Sequence, residues 1–175
     1  SLVFQDVMLS TDTVRANIAL GNADATETEI EEAARAACIH DRIMQLPDGY
    51  DTIIGEGAHL SGGEAQRLTI ARAFLAASPI LILDEATAQA DSHSERLIQQ
   101  AISNLAQKRT VIVIAHRLST IQGVDQIAVI DAGRLVELGT HDDLLAQDGP
   151  YARLWRNQTN ITHALEGLRG KEQAC

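Results

Sequence analysis

Ile80-Leu81-Ile82-Leu83-Asp84-Glu85 is four apolar residues in a row closed by two carboxylates. The run is too short and too uniformly apolar for a strand with one wet face. It predicts a strand buried on both sides, as in parallel sheets. Ser92 and Glu95 follow at capping-box spacing, and Leu97, Ile98, Ala101, Ile102 and Leu105 then recur with helical period. A second apolar run, Val111 to Ala115, predicts another buried strand and ends in His116. Strand, helix and strand in this order predict a β-α-β unit with a right-handed crossover, and hence an α/β fold on a parallel sheet. Ligands of open α/β sheets collect beyond the carboxyl ends of the strands, which is where Asp84 and Glu85 fall.

Upstream of that unit stands Leu60-Ser61-Gly62-Gly63-Glu64-Ala65-Gln66-Arg67. The paired glycines allow close backbone approach, and the segment from Gly63 to Ala77 reads as a helix that Pro79 ends. A helix start with free N–H groups and a serine hydroxyl suits phosphate oxygens. Further upstream, Thr26 and Glu29 form a capping box for a helix carrying Ile30, Ala33, Ala34, Ala37 and Cys38, with Cys38 on its apolar face as a small core residue. Pro47-Asp48-Gly49 marks a turn, and Ser1-Leu2-Val3-Phe4-Gln5 reads as the end of a strand. Downstream, Ile127 to Ile130 and Leu135 to Leu138 form a hairpin with Gly133 at its turn. Short helices are expected near Asp142 to Ala146 and Tyr151 to Trp155, and a loose polar tail covers 158–175.

The chain has 175 residues, 45% of them hydrophobic and 22% charged, enough for a sizeable core. Its apolar runs are a few residues long, against the roughly 20 needed for a membrane span. The formal net charge of −10 argues against nucleic acid as a partner, since there is no basic stripe to meet a phosphate backbone. Cys38 and Cys175 have no disulfide-like or metal-like spacing.

Taken together, the string from Leu60 to Arg67, the Asp84-Glu85 pair and Ala115-His116-Arg117-Leu118-Ser119-Thr120 resemble the nucleotide-binding domain of an ABC (ATP-binding cassette) transporter. Leu60-Ser61-Gly62-Gly63-Glu64 is similar to the L-S-G-G-Q signature, with Glu64 in place of the glutamine. The resemblance implies that Asp84 is the Walker B aspartate holding Mg²⁺, Glu85 the catalytic glutamate, and His116 the switch histidine that contacts the γ-phosphate of ATP. Gln5 is similar to the Q-loop glutamine, which touches Mg²⁺ and relays nucleotide state to the membrane domain. Asp91 is similar to the D-loop aspartate, although Ala88-Gln89-Ala90-Asp91 departs from the commoner S-A-L-D. Thr13-Val14-Arg15-Ala16-Asn17-Ile18 resembles the exporter-type pattern after the Q-loop. Gly55-Glu56-Gly57-Ala58-His59-Leu60, which meets coupling helices in exporters, is one residue shorter than the usual loop.

The implied architecture is a P-loop NTPase-like parallel sheet with flanking helices. It has a helical subdomain over about 12–78 and an α/β core over about 79–157. No G-x-x-x-x-G-K-[ST] phosphate loop occurs in the chain, so the domain is expected to be incomplete at its amino-terminal side. The implied partners are a second nucleotide-binding domain and a transmembrane domain, at the cytoplasmic face of the cell membrane. The alternatives are a signature-donating partner that does not hydrolyse ATP, and a truncated product without activity. Cassette ATPases of DNA repair normally insert coiled coils or zinc modules, and none separates Gln5 from Leu60. Within transporters the strings around Leu60 and Asp84 are similar to siderophore-type members.

Overall fold

Three strands, β1 (Leu2–Val3), β2 (Ile80–Asp84) and β3 (Thr110–Ile114), pair in parallel in the order β1-β2-β3. The computed structural model describes residues 1–3, 7–55, 59–84, 92–107, 109–115 and 118–159. The chain forms two compact units, Ser1–Ile114 and Ala115–Cys175.

In the first unit the helices are α1 (Val14–Ala19), α2 (Glu27–Ala36), α3 (His40–Ile43), α4 (Gly62–Leu75) and α5 (Ser92–Ala106). Helix α4 is the hub, in contact with α1, α2, α5 and β1. Its buried residues Gly63, Gln66, Arg67, Leu68, Ile70, Ala71 and Ala73 are spread around the helix, as expected for one enclosed on several sides. Helix α2 is a one-sided surface helix, with Ile30, Ala33 and Ala34 buried at i, i+3, i+4 spacing. Its Thr26–Glu29 capping box forms as the spacing predicts.

Two helix ends differ from the sequence expectation. Helix α2 stops at Ala36, and Cys38 takes φ 55°, so it reverses the chain instead of extending the apolar face. The partial burial this gives pushes the Cys38 thiol pKa up, with the nearby charge of Arg67 opposing the shift. Helix α4 ends at Leu75 and turns through Ala77 at φ 45°, before Pro79 is reached.

Central β2 has Leu81 at 0% and Leu83 at 3% exposure. The sequence predicts an equally buried β3, but Ile112 and Ile114 are about half exposed, at 50% and 48%. The reason is position: β3 stands at one edge of the three strands and, among the described residues, pairs only with β2.

The second unit opens with a 3₁₀ turn at Leu118–Ile121 and the hairpin β4 (Ile127–Asp131) and β5 (Arg134–Gly139). Ala132 and Gly133, at φ 45° and 75°, make a two-residue turn with both central residues left-handed, the geometry that matches strand twist. Helix α6 (His141–Ala146) carries a Thr140–Asp143 capping box, and residues 150–159 form a last helix, α7. The polar tail beyond residue 159 lies outside the described residues. Leu118, Ile121, Ile127, Leu144 and Tyr151 form the core of this unit. Among the described residues no helix is long and apolar enough to cross a membrane.

Candidate functional site

The glycine turn is built by local capping chemistry. Ser61 is the N-cap of α4 in extended conformation, and its hydroxyl accepts from the Glu64 N–H at 3.2 Å. The Glu64 carboxylate reaches back to accept from the Ser61 N–H at 2.9 Å, which completes the box. Ser61 and Gly62 are exposed while Gly63 is buried, so the turn faces solvent with its rear packed. A Cβ added to Gly62 would meet nothing within 4 Å, so there is open room in front of the helix start. Leu60 is partly buried and packs against the core, anchoring the entry to the turn.

The other carboxylate oxygen of Glu64 accepts from Arg42 Nε at 2.8 Å. Both oxygens of Glu64 are thus engaged inside the protein. These two contacts shape the turn.

Asp84 lies at the carboxyl end of β2, half-buried and opposite Ile114, while Val3 pairs with Leu83. The carboxyl ends of the three strands therefore lie side by side. Gln5 follows Val3 by two positions, Glu85 follows Asp84 directly, and His116 follows Ile114 by two. Gln5, Glu85, Asp91 and His116 lie outside the described residues, as do positions 56–58 of the shortened loop from Gly55 to Leu60.

A second network ties the stretch after Gln5 to α4. Asn17, fully buried, donates from its amide to the carbonyls of Ser10 and Thr13, both at 3.0 Å, and accepts from the Ser10 N–H at 2.9 Å. Arg72 on α4 donates through Nε to the Asn17 carbonyl at 3.0 Å and through Nη1 to the Met8 carbonyl at 3.4 Å. Burial pushes the Arg72 pKa down.

Asn17 belongs to the exporter-type string from Thr13 to Ile18, but neither Arg42's contact nor the Asn17–Arg72 contact can be read from the sequence. Their partners are 22 and 55 residues away, beyond the reach of any local spacing rule. A cleft lined by Leu2, Val3, Leu20, Gly21 and Arg72 lies beside β1 and the carboxyl-terminal half of α4, away from the glycine turn. No group of three or more metal-ligating side chains occurs among the described residues.

Comparison with known proteins bears on the family and the fold. The family model described as ABC transporter matches residues 1–88. The chain is 58% identical over 171 residues to the mycobactin import ATP-binding/permease protein IrtA of Mycobacterium tuberculosis, covering 95% of this chain and 20% of that protein. It is 59% identical over 155 residues to the ATP-dependent lipid A-core flippase of Chromobacterium violaceum, covering 88% of this chain and 26% of the flippase. The solved structure of a bacterial Atm1-family ABC exporter with ATP bound superposes with a TM-score of 0.81 at 49% identity, over 90% of this chain and 28% of that one. The chain thus spans about a fifth to a quarter of the length of these relatives.

Proposed function

The chain belongs to the ABC transporter family, and on that basis we propose that it is part of an ATP-hydrolysing cassette that drives a solute across a membrane. The observation that carries this reading is the Ser61-Gly62-Gly63 turn, exposed and held in a completed capping box at the start of a buried helix. Neighbouring N–H groups at a helix start, an adjacent hydroxyl and open space in front make a donor set that fits a terminal phosphate. The side-by-side carboxyl ends of β1, β2 and β3 fit the second half of such a site.

In this reading Ser61, Gly62 and Gly63 donate to the γ-phosphate of an ATP held by a second cassette. Leu60 and Glu64 hold the turn's shape. Asp84 and Gln5 serve Mg²⁺, which would supply charge neutralisation at the phosphates. Glu85 orients the attacking water, His116 holds the γ-phosphate geometry, and Asp91 sits at the cassette–cassette interface. The helical region spans about 12–78 and the α/β core about 79–157, followed by a tail over 158–175. The transmembrane part and the cytoplasmic-face location follow from the same family reading. The relatives' names differ in cargo, import of mycobactin against flipping of lipid A-core, at 58% and 59% identity. Cassette similarity therefore does not select a cargo, and we assign that choice to the membrane part. The siderophore-type subfamily likeness has no greater force.

The test pairs two measurements. With no phosphate-loop lysine in its sequence, the chain alone forgoes about three charge-assisted bonds at roughly 2 kcal/mol each, on the order of ten-thousandfold in affinity. It should bind ATP more weakly than about 1 mM by calorimetry. In the full-length protein that carries a phosphate loop, Glu85→Gln should cut ATP turnover about a hundredfold or more while ATP still binds. Unchanged turnover in that variant, or micromolar ATP binding by the isolated chain, would overturn the reading.

A further inference from the structure

Glu64 presents a physical difficulty: it places a carboxylate in the first turn of a helix whose start is read as a phosphate site. At the helix start the negative charge suits the dipole, but beside a triphosphate it repels. Arg42 resolves this. Its Nε–H donates to one Glu64 oxygen at 2.8 Å while the other oxygen caps Ser61 at 2.9 Å. The pair is partly shielded, with side chains 33% and 19% exposed. Arg42 is also presented from a fixed base, since Ile39 and Ile43 on either side of it are buried at 0% and 1% exposure. A charge-assisted bond from an anchored donor fixes the carboxylate's orientation as well as matching its charge.

We infer that Arg42 is a positioning residue for the glycine turn: it clamps Glu64 in the rotamer that caps Ser61 and neutralises an acid that would otherwise face the incoming phosphate. The inference rests on the nucleotide reading above, and its first measurement is independent of that reading. A glutamine at position 64 can complete the same box without charge. Losing Arg42 should therefore be harmful only while position 64 is acidic.

Three variants test this: Arg42→Met, Glu64→Gln and the double substitution. In the 175-residue chain, amide hydrogen exchange at Ser61 should quicken about tenfold in Arg42→Met and return to within about twofold of wild type in the double variant. In the full-length protein, Arg42→Met should raise KM for ATP about five- to tenfold with kcat within about twofold, and Glu64→Gln in that background should restore KM. A merely structural arginine predicts a double variant at least as impaired as the single one. Should Arg42→Met fail to melt cooperatively, Arg42→Lys keeps the cation and should stay within about threefold of wild type in both measurements. Unchanged exchange at Ser61, or failure of the second substitution to rescue it, overturns the clamp. Exchange that responds and is rescued while KM stays fixed overturns the turn's link to nucleotide, a failure distinct from unchanged turnover in Glu85→Gln.

Discussion

A methyl group added to Gly21 would collide with the carbonyl oxygen of Arg72 and lie 3.1 Å from Leu75 Cβ. The obstacle is helix backbone and cannot rotate away, so α4 or the end of α1 must shift. Gly21→Ala should therefore cost about 1–3 kcal/mol, read as a lower urea midpoint at unchanged slope. Glu29 makes a second prediction. The backbone N–H of Thr26, and then its hydroxyl, hold the Glu29 carboxyl below its ordinary range. Its share of stability is present above the unfolded value near pH 4.3 and is lost as pH falls through the lower folded value. Glu29→Gln keeps the cap but does not titrate, so the stability slope below about pH 4.3 should flatten in urea titrations at stepped pH. An unchanged slope would remove Glu29 from the account.

At the scale of elements, the hairpin carries a conflict that can be relieved. Ala132 holds φ 45° in the β4–β5 turn, a conformation that costs a residue with a Cβ about 1 kcal/mol and suits asparagine. Ala132→Asn creates the favoured Asn-Gly turn and should raise stability by about 0.5–1 kcal/mol in thermal melts. The same hairpin shows what could be read ahead of the structure. The Thr26 capping box and the Gly133 turn were legible because each is decided within four residues, whereas the Ser61–Glu64 box emerged only with the fold. The parallel sheet was legible because uniformly apolar runs flank a helical period. Cys38 misled because the apolar spacing of α2 continues past the point where the backbone reverses. The exposure of β3 was hidden for another reason: sequence says what can be buried, whereas position at a sheet edge decides what is. Arg42 and Arg72 act across 22 and 55 residues, where only the folded chain brings partners together.

Across the whole molecule, apolar surface remains open in both units. Ile112, Val113 and Ile114 are exposed on β3, as are Ile130, Leu135 and Leu138 on the hairpin. Patches of this kind at a sheet edge favour self-association. Ile112→Thr should lower light scattering on concentration while changing unfolding free energy by less than about 1 kcal/mol, because the position already faces solvent. Greater scattering, or a large loss of stability, would show that Ile112 is part of the core. The Arg72 contacts reach further than local order. Arg72 stands eleven residues past Ser61, about 16 Å along a continuous helix. One end of that rod meets the glycine turn, and the other grips the main chain of the stretch that follows Gln5. A tilt of the rod at one end is thereby delivered as displacement at the other, with no slack joint between them.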